Sequence, residues 1–304
     1  MNYTISQLKI FLKVVEHASI TKAAEELHLT QPAVSIQLKN FQKNFKYALT
    51  EIINKKLFVT DFGNEIALAA ANIITELELI NYKSIGYNNE LSGKLKISIV
   101  STGKYIMPYF LSNFLQTYSN IDLELDVTNK SKVVNSLEKN EVDFALVSIL
   151  PENLQINKVE LIENKLMLVG NQKIAHLFHL KKLSIDSTPV IFREQGSGTR
   201  QTMERFIYKN KFISKKKITL TSNEAVKQAI LAGMGISIMP IIGIKNELES
   251  GELKIIPYKG LPIKTTWSLI WLKEKKLSPI AKAYIDYLES NKEKIEKEHF
   301  NFSY

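Results

Sequence analysis

An α/β fold with an all-α-type N-terminal domain is what this sequence predicts, and three observations predict it. Apolar residues recur at helical spacing through the first sixty or so positions. One long helical pattern follows. After Gly93, short β-rich runs alternate with helical stretches to the end of the chain. At 304 residues the chain has room for more than one domain. The changes of pattern divide it into 1–63, 64–92 and 93–304.

In the first segment, Thr4-Ile5-Ser6-Gln7 fits a capping box, where threonine hydroxyl and glutamine side chain each satisfy an orphan amide. Leu8, Phe11, Leu12 and Val15 follow at spacings that place them on one buried face. Ser19 or Thr21 opens a second helix, whose Ala23, Ala24 and Leu27 allow close approach. Thr30 caps a third. Pro32 lies in its first turn, where a missing N–H costs nothing, and Val34, Leu38, Phe41 and Phe45 define its core side. A β-prone run, Leu57-Phe58-Val59-Thr60, follows Lys55-Lys56 and ends at Gly63.

From Asn64 to about Ser84 the pattern predicts a single helix. Ile66, Ile73, Leu77, Ile80 and Ser84 form a heptad-like seam. Such a seam suits packing on the helix's own domain or pairing with a second copy of the chain, and pairing is the reading we favour. Gly86, Asn88, Asn89, Ser92 and Gly93 break the helix. Apolar runs at 95–100, 123–127, 144–149, 166–169, 190–192, 218–220, 236–239 and 267–272 then read as strands. With helices interposed, they predict two largely parallel sheets and a cleft between two lobes. The tail from Glu289 to Tyr304 reads as helix, then frayed end.

Composition removes several chemistries. With no cysteine, the chain has no disulfide, no Cys-ligated zinc or iron–sulfur cluster and no thiol nucleophile. Among five histidines only His176 and His179 are close in sequence, so neither a metal site nor a cofactor is expected. The longest largely apolar stretch, Ile66–Ile74, is under half of the ~20 residues that span a bilayer. The start, MNYTISQLKIF, lacks a basic region leading into an apolar core and a cleavage site. A cytoplasmic protein with no membrane partner is expected. The net charge of +9 does not by itself locate a nucleic-acid surface, because residues 1–63 hold eight lysines against five acidic side chains and the excess lies beyond Gly93.

The stretch Gln7-Leu8-x-x-Phe11, Ala18-Ser19-Ile20-Thr21-x-Ala23-Ala24-x-x-Leu27 and Thr30-Gln31-Pro32-Ala33-Val34-Ser35-x-Gln37-Leu38 closely resembles the winged helix-turn-helix of LysR-type transcriptional regulators. The resemblance continues through a linker helix into Gly93-Lys94-Leu95-Lys96-Ile97, then Asp143-Phe144-Ala145-Leu146-Val147 and Gly233-Met234-Gly235-Ile236. It covers nearly the whole chain. The effector half, with Arg193-Glu194-Gln195-Gly196-Ser197-Gly198-Thr199-Arg200, looks most like the subgroup regulating carbon-fixation operons. Departures are also plain. Lys46, Thr50 and Ile52 stand where the family usually has Gly, Phe and Arg, and Ile36 stands where Arg is frequent. The chain's arginines are Arg193, Arg200 and Arg205, so guanine reading by bidentate arginine is closed to its first 192 residues.

The resemblance implies a DNA-binding regulator that works as a dimer and, on an extended operator, a tetramer, with RNA polymerase as a further partner. Residues 93–304 then form a two-lobed effector domain similar in fold to periplasmic binding proteins. Apolar commitments of the third helix leave Thr30, Gln31, Pro32, Ala33, Ser35 and Lys39 to meet duplex DNA. Glutamine can bridge adenine N6 and N7, while proline and alanine suit thymine methyl groups. Lys55 and Lys56 suit phosphate. For a small anionic metabolite the candidates are Ser101, Thr102, Thr128, Asn129, Ser148, Arg193, Gln195, Ser197, Thr199, Arg200, Ser222 and Asn223. They recur at strand-to-helix junctions, where ligands of open α/β folds bind and helix N-termini present free N–H groups. A solute receptor and an enzyme with Gly196–Gly198 as a phosphate cradle are the rival classes. The first sixty residues weigh against the former and the missing base partner against the latter, and duplex binding separates the regulator from both.

Overall fold

The structure, a computed structural model, describes residues 3–54, 56–85, 91–213 and 216–301. The chain divides into two compact units, Met1–Ser92 with Lys275–Pro279, and Gly93–Glu274 with Ile280–Tyr304.

The first unit holds α1 (Ile5–His17), α2 (Ile20–Glu26), α3 (Gln31–Gln42), the strands β1 (Thr50–Ile53) and β2 (Lys56–Val59), and α4 (Asp61–Ile85). The capping box closes as the spacing requires: the Thr4 N–H donates to Gln7 Oε1 at 2.9 Å, and the Gln7 N–H donates to the Thr4 hydroxyl at 3.3 Å. Ser19, not Thr21, caps α2 by accepting from the Lys22 N–H. Leu8, Phe11, Val14, Ala23, Ala24, Val34, Leu38 and Phe41 fill the core between the helices. The antiparallel hairpin pairs Thr50 with Val59 and Ile53 with Lys56. Its first strand was not anticipated, although the β-branched run Thr50–Ile53 before Asn54, at φ 50°, carries the hairpin signal. Gly63 lets α4 start close beneath it, since a methyl group there would sit 2.0 Å from the Leu49 carbonyl oxygen.

Helix α4 runs 25 residues, about 37 Å at 1.5 Å per residue, and among the described residues only its first half packs on the helical core. The seam therefore splits. Ile66 packs on the helical core beside Ala67, Ala70 and Ile74, whereas Ile73 and Ile80 stand exposed and Leu77 is half-buried. The side chain of Ser84 and the break at 86–89 lie outside the described residues.

In the second unit, β3 (Gly93–Val100) lies between β4 (Ile121–Thr128) and β5 (Phe144–Val147), parallel to both. α5 (Met107–Thr117) and α6 (Lys130–Glu138) complete this first lobe. The sixteen-residue β6 (Ile156–Asn171) then carries the chain into a second lobe of α7 (Gln172–His179), β7 (Val190–Arg193), α8 (Gly198–Lys209), β8 (Lys217–Leu220), α9 (Asn223–Leu231), β9 (Ser237–Pro240), α10 (Lys245–Ser250) and β10 (Leu253–Ile255). β11 (Ile263–Leu272) returns along β6, and α11 (Pro279–His299) follows.

The expectation of two largely parallel sheets needs correction. β6 pairs antiparallel with β9, β10 and β11, and β11 pairs antiparallel with β5, which makes one seven-stranded mixed sheet beside the parallel pair β7–β8. Two long strands that run out and back between lobes must oppose each other. The apolar run 166–169 marked only the end of β6, because the ten residues before it carry Lys158, Glu160 and Glu163 at exposed positions and Lys165 at a half-buried one.

Candidate functional site

Two places bring the expected functional side chains to a surface. On α3 the Thr30 hydroxyl accepts from the Ala33 N–H at 3.4 Å, and Pro32 occupies the first turn without losing an intrahelical bond. Val34, Leu38 and Phe41 turn inward. Thr30, Gln31, Pro32 and Lys39 are exposed, and Ala33 and Ser35 are half-buried at the edges of that face. Gln37 is committed elsewhere, accepting from Gln7 Nε2 at 3.1 Å. Lys56 is exposed at the start of β2, and Lys55 lies outside the described residues. The hairpin is tied to α3 through Gln42, whose Oε1 accepts from both the N–H and the hydroxyl of Thr50 at 2.9 Å. Sequence reading missed Gln42, and it marked Ile36 and Ile52, both exposed here, only as departures from the family pattern.

The second place is the cleft of the second unit. Ser101, Thr102, Asn129, Ser148, Ser197 and Thr199 all line one small cavity, together with Lys130. Its open space is about 10 Å³, roughly what a single water needs. Three helical starts converge here: the 3-10 turn Gly103–Tyr105 after Thr102, α6 capped by Asn129, and α8 capped by Ser197. Adjoining it is a cavity of about 490 Å³ lined by Lys130, Ser131, Gln195, Ser197, Arg200 and Gln201 among others.

Direct hydrogen bonds hold the lobes together. Arg193 Nη2 and Asn223 Nδ2 both donate to the Ser101 hydroxyl, at 3.1 and 3.2 Å. The Ser131 N–H donates to the Gly196 carbonyl at 3.1 Å, and Lys130 Nζ donates to Gln201 Oε1 at 3.0 Å. Arg193 is 4 % exposed and also grips the Glu194 carboxylate through two bonds of 2.8 and 2.9 Å. Arg200 pairs with Glu204 at 2.7 Å, donates to the Arg193 carbonyl at 2.9 Å and lies over the Phe192 ring. Both arginines expected to offer charge to a ligand are thus already paired inside the protein.

Lys130 was missed. Its position inside the first turn of α6 gave no signal, since a lysine there opposes the helix dipole. Burial, with Arg205 nearby, holds its ammonium below the usual lysine range. Thr128 and Ser222 depart from expectation in the other direction. Thr128 closes β4 and lines neither cavity, and the Ser222 hydroxyl accepts from the Ala225 N–H at 3.0 Å as the cap of α9. Asn223, one residue on, faces the cleft instead, and its Oδ1 is buried without a partner among the described residues. Outside both places, Glu16, His17 and Glu26 gather three potential ligand atoms, but Lys13 already bridges the two carboxylates.

Comparison with known proteins agrees over nearly the whole length. Residues 5–64 match the model of the bacterial regulatory helix-turn-helix proteins of the lysR family, and residues 88–292 match that of the LysR substrate binding domain. The HTH-type transcriptional activator CmpR of Synechocystis sp. is 34% identical over 297 residues, 97% of each chain. A RuBisCO operon transcriptional regulator of Allochromatium vinosum is 33% identical, over 95% of this chain and 97% of its own. The regulatory domain of Synechocystis CcmR, solved in complex with 2-PG, superposes with a TM-score of 0.60 at 29% identity, covering 69% of this chain and 99% of that one.

Proposed function

The chain belongs to the LysR family of DNA-binding transcriptional regulators, and from that premise we propose how its two units divide the work. The first unit enters the major groove with the N-terminal half of α3. Gln31 reads a base edge, Pro32, Ala33 and Ser35 lie along it, and Lys39, Lys55 and Lys56 bind phosphates. The exposed Ile73 and Ile80 of α4 pair with a second copy, which sets two reading heads about one helical turn of DNA apart, roughly 34 Å or a multiple. A tetramer covers an extended operator, and RNA polymerase is the protein that responds. In this reading the chain works in the cytoplasm beside the DNA. Turnover of a substrate has no part in the scheme.

The second unit senses a small anion that carries phosphate and carboxylate. The single observation behind this is the convergence of Thr102, Asn129 and Ser197, each at a helical start, around one cavity edged by Lys130. Free N–H groups at such starts favour oxygen anions. The CcmR domain, the relative solved with 2-PG (2-phosphoglycolate), points to the same chemistry. The space among these residues holds about one water, so a ligand that reaches Thr102 and Asn129 from the adjoining cavity parts the lobes as it enters. It must therefore replace the bonds from Arg193 and Asn223 to Ser101, and by favouring one lobe arrangement it changes the response on DNA.

A thermal-shift series with 2-phosphoglycolate, other phosphorylated carboxylates and inorganic phosphate tests the sensor. A ligand at a hundred times its Kd should stabilise the protein by about 2.7 kcal/mol. No shift with any phosphorylated carboxylate at millimolar concentration overturns this assignment.

A further inference from the structure

The residue at the centre of the outer face of α3 is an isoleucine. Ile36 lies two positions beyond the buried Val34, about 200° round the helix at 100° per residue, and so points directly away from the Val34–Leu38–Phe41 core face. It is 59 % exposed. One turn back on the same line is the exposed Pro32, one turn on is the exposed Asn40, and Lys39 flanks it. A charged or amide side chain would be the ordinary occupant of such a position on a helix that faces only water. The same stretch of chain holds no arginine to put there.

We infer that Ile36 is a specificity-determining residue that packs on a thymine methyl group in the major groove. The inference rests on the proposed entry of α3 into that groove. Among the bases only thymine presents an apolar group there. The branched side chain at the middle of the face keeps water from the base edges beside it. A G·C pair at that step would leave polar atoms under an apolar cover, whereas a thymine meets it with carbon. Pro32, on the same line one turn earlier, extends the apolar strip along the groove. Ile36 therefore selects thymine without a hydrogen bond, and Gln31 supplies the directional contact at the end of the helix.

The experiment uses the full chain and a duplex enriched by it from a random-sequence pool. Each thymine of that duplex is replaced in turn by deoxyuridine, which removes one methyl group and nothing else. Wild type should lose about fourfold in affinity at one step of each half-site, the ~0.8 kcal/mol of one buried methyl group at 1.4 kcal/mol per tenfold. Ile36→Ala should bind the thymine duplex more weakly and be indifferent to deoxyuridine at that same step. Alanine is the better helix former, so a lost α3 does not account for the change. Ile36→Arg should make binding steeper in salt, by about one unit of slope, while losing the same methyl sensitivity. If Ile36→Ala keeps full sensitivity to every methyl group, the inference falls and the DNA-reading function stands. If the chain enriches no duplex at all, the reading on which it rests falls, and the inference with it.

Discussion

On α3 the side chains offered to a partner stand in solvent and touch little of their own protein. Gln31, Pro32, Ile36 and Lys39 are exposed, and their positions come from the core face beneath them. In the cleft the corresponding groups are buried or half-buried and already bonded to one another: Arg193 to Glu194 and Ser101, Asn223 to Ser101, Lys130 to Gln201. A surface reader of this kind can lose a side chain and keep its fold, because water replaces the missing partner. A cleft of pre-paired groups loses more, because a deletion at Arg193 or Asn223 strips a partner from a polar atom that water reaches poorly. Binding and stability are thus separable in the first unit and entangled in the second.

The sharpest way to break that contrast is Arg193→Met, which keeps the stem and removes the charge. It leaves the Glu194 carboxylate without its two bonds from Arg193 and the Ser101 hydroxyl with Asn223 as its remaining donor. We expect the second unit to lose about 3 kcal/mol, the low end for a split buried pair because Glu194 is 19% exposed. A denaturant midpoint that hardly moves would show the pair to be solvated and the entanglement weak.

Two hydroxyls sharpen it next. Ser197→Ala should cost about 1 kcal/mol as a lost helix cap, and ten- to a hundred-fold in affinity for the anion. Thr102 makes no side-chain cap bond, so Thr102→Ala should show the binding loss with a smaller change in stability. Calorimetric titration beside thermal melting separates these. Unchanged affinity in both variants would put the anion elsewhere.

On the reading face the balance should reverse. Gln31→Ala should weaken the cognate duplex by about 1–3 kcal/mol and relax preference at one base pair, while the melting curve stays within about 0.5 kcal/mol of wild type. Lys56→Ala should weaken all duplexes alike and lower the salt slope by about one. Gel-shift titrations at several salt concentrations read both.

The smallest effect is electrostatic. Burial penalises the charged form of Lys130, so the folded chain holds that proton less tightly than the unfolded one. Stability should therefore rise with pH through the interval between its lowered pKa and the ordinary 10.5. Affinity for an anion should fall across the same interval as the ammonium is lost. Lys130→Met should flatten both pH profiles, and a profile unchanged by that substitution would remove Lys130 from the site.

Much of the first unit was legible because its determinants are local. Caps, the first-turn proline and the apolar spacing of α3 all lie within a few residues of what they control. What escaped notice there was β1, hidden by a run too short to stand out; Ile36 was seen only as a departure from the family pattern, with no role attached. In the second unit the hydroxyls at strand-to-helix junctions were visible as caps, but capping alone did not tell Ser222, which stays a cap, from Ser197, which also lines the cleft. Strand direction was out of reach, since an apolar run reads the same in either sense.

The sequence by itself determined which residues end strands, which start helices and which face of α3 meets solvent, because each follows from a helix or strand period acting over one or two turns. Tertiary structure alone decided which junctions meet. Ser101 reaches Asn223 across 122 positions and Arg193 across 92, and Lys130 reaches Gln201 across 71. Those meetings are set by β6 and β11 running out and back between the lobes, and the pairing of the arginines follows from them. No local period carries the relative placement of two distant helix starts, so the chemistry of the cleft emerges only when the long strands bring them together.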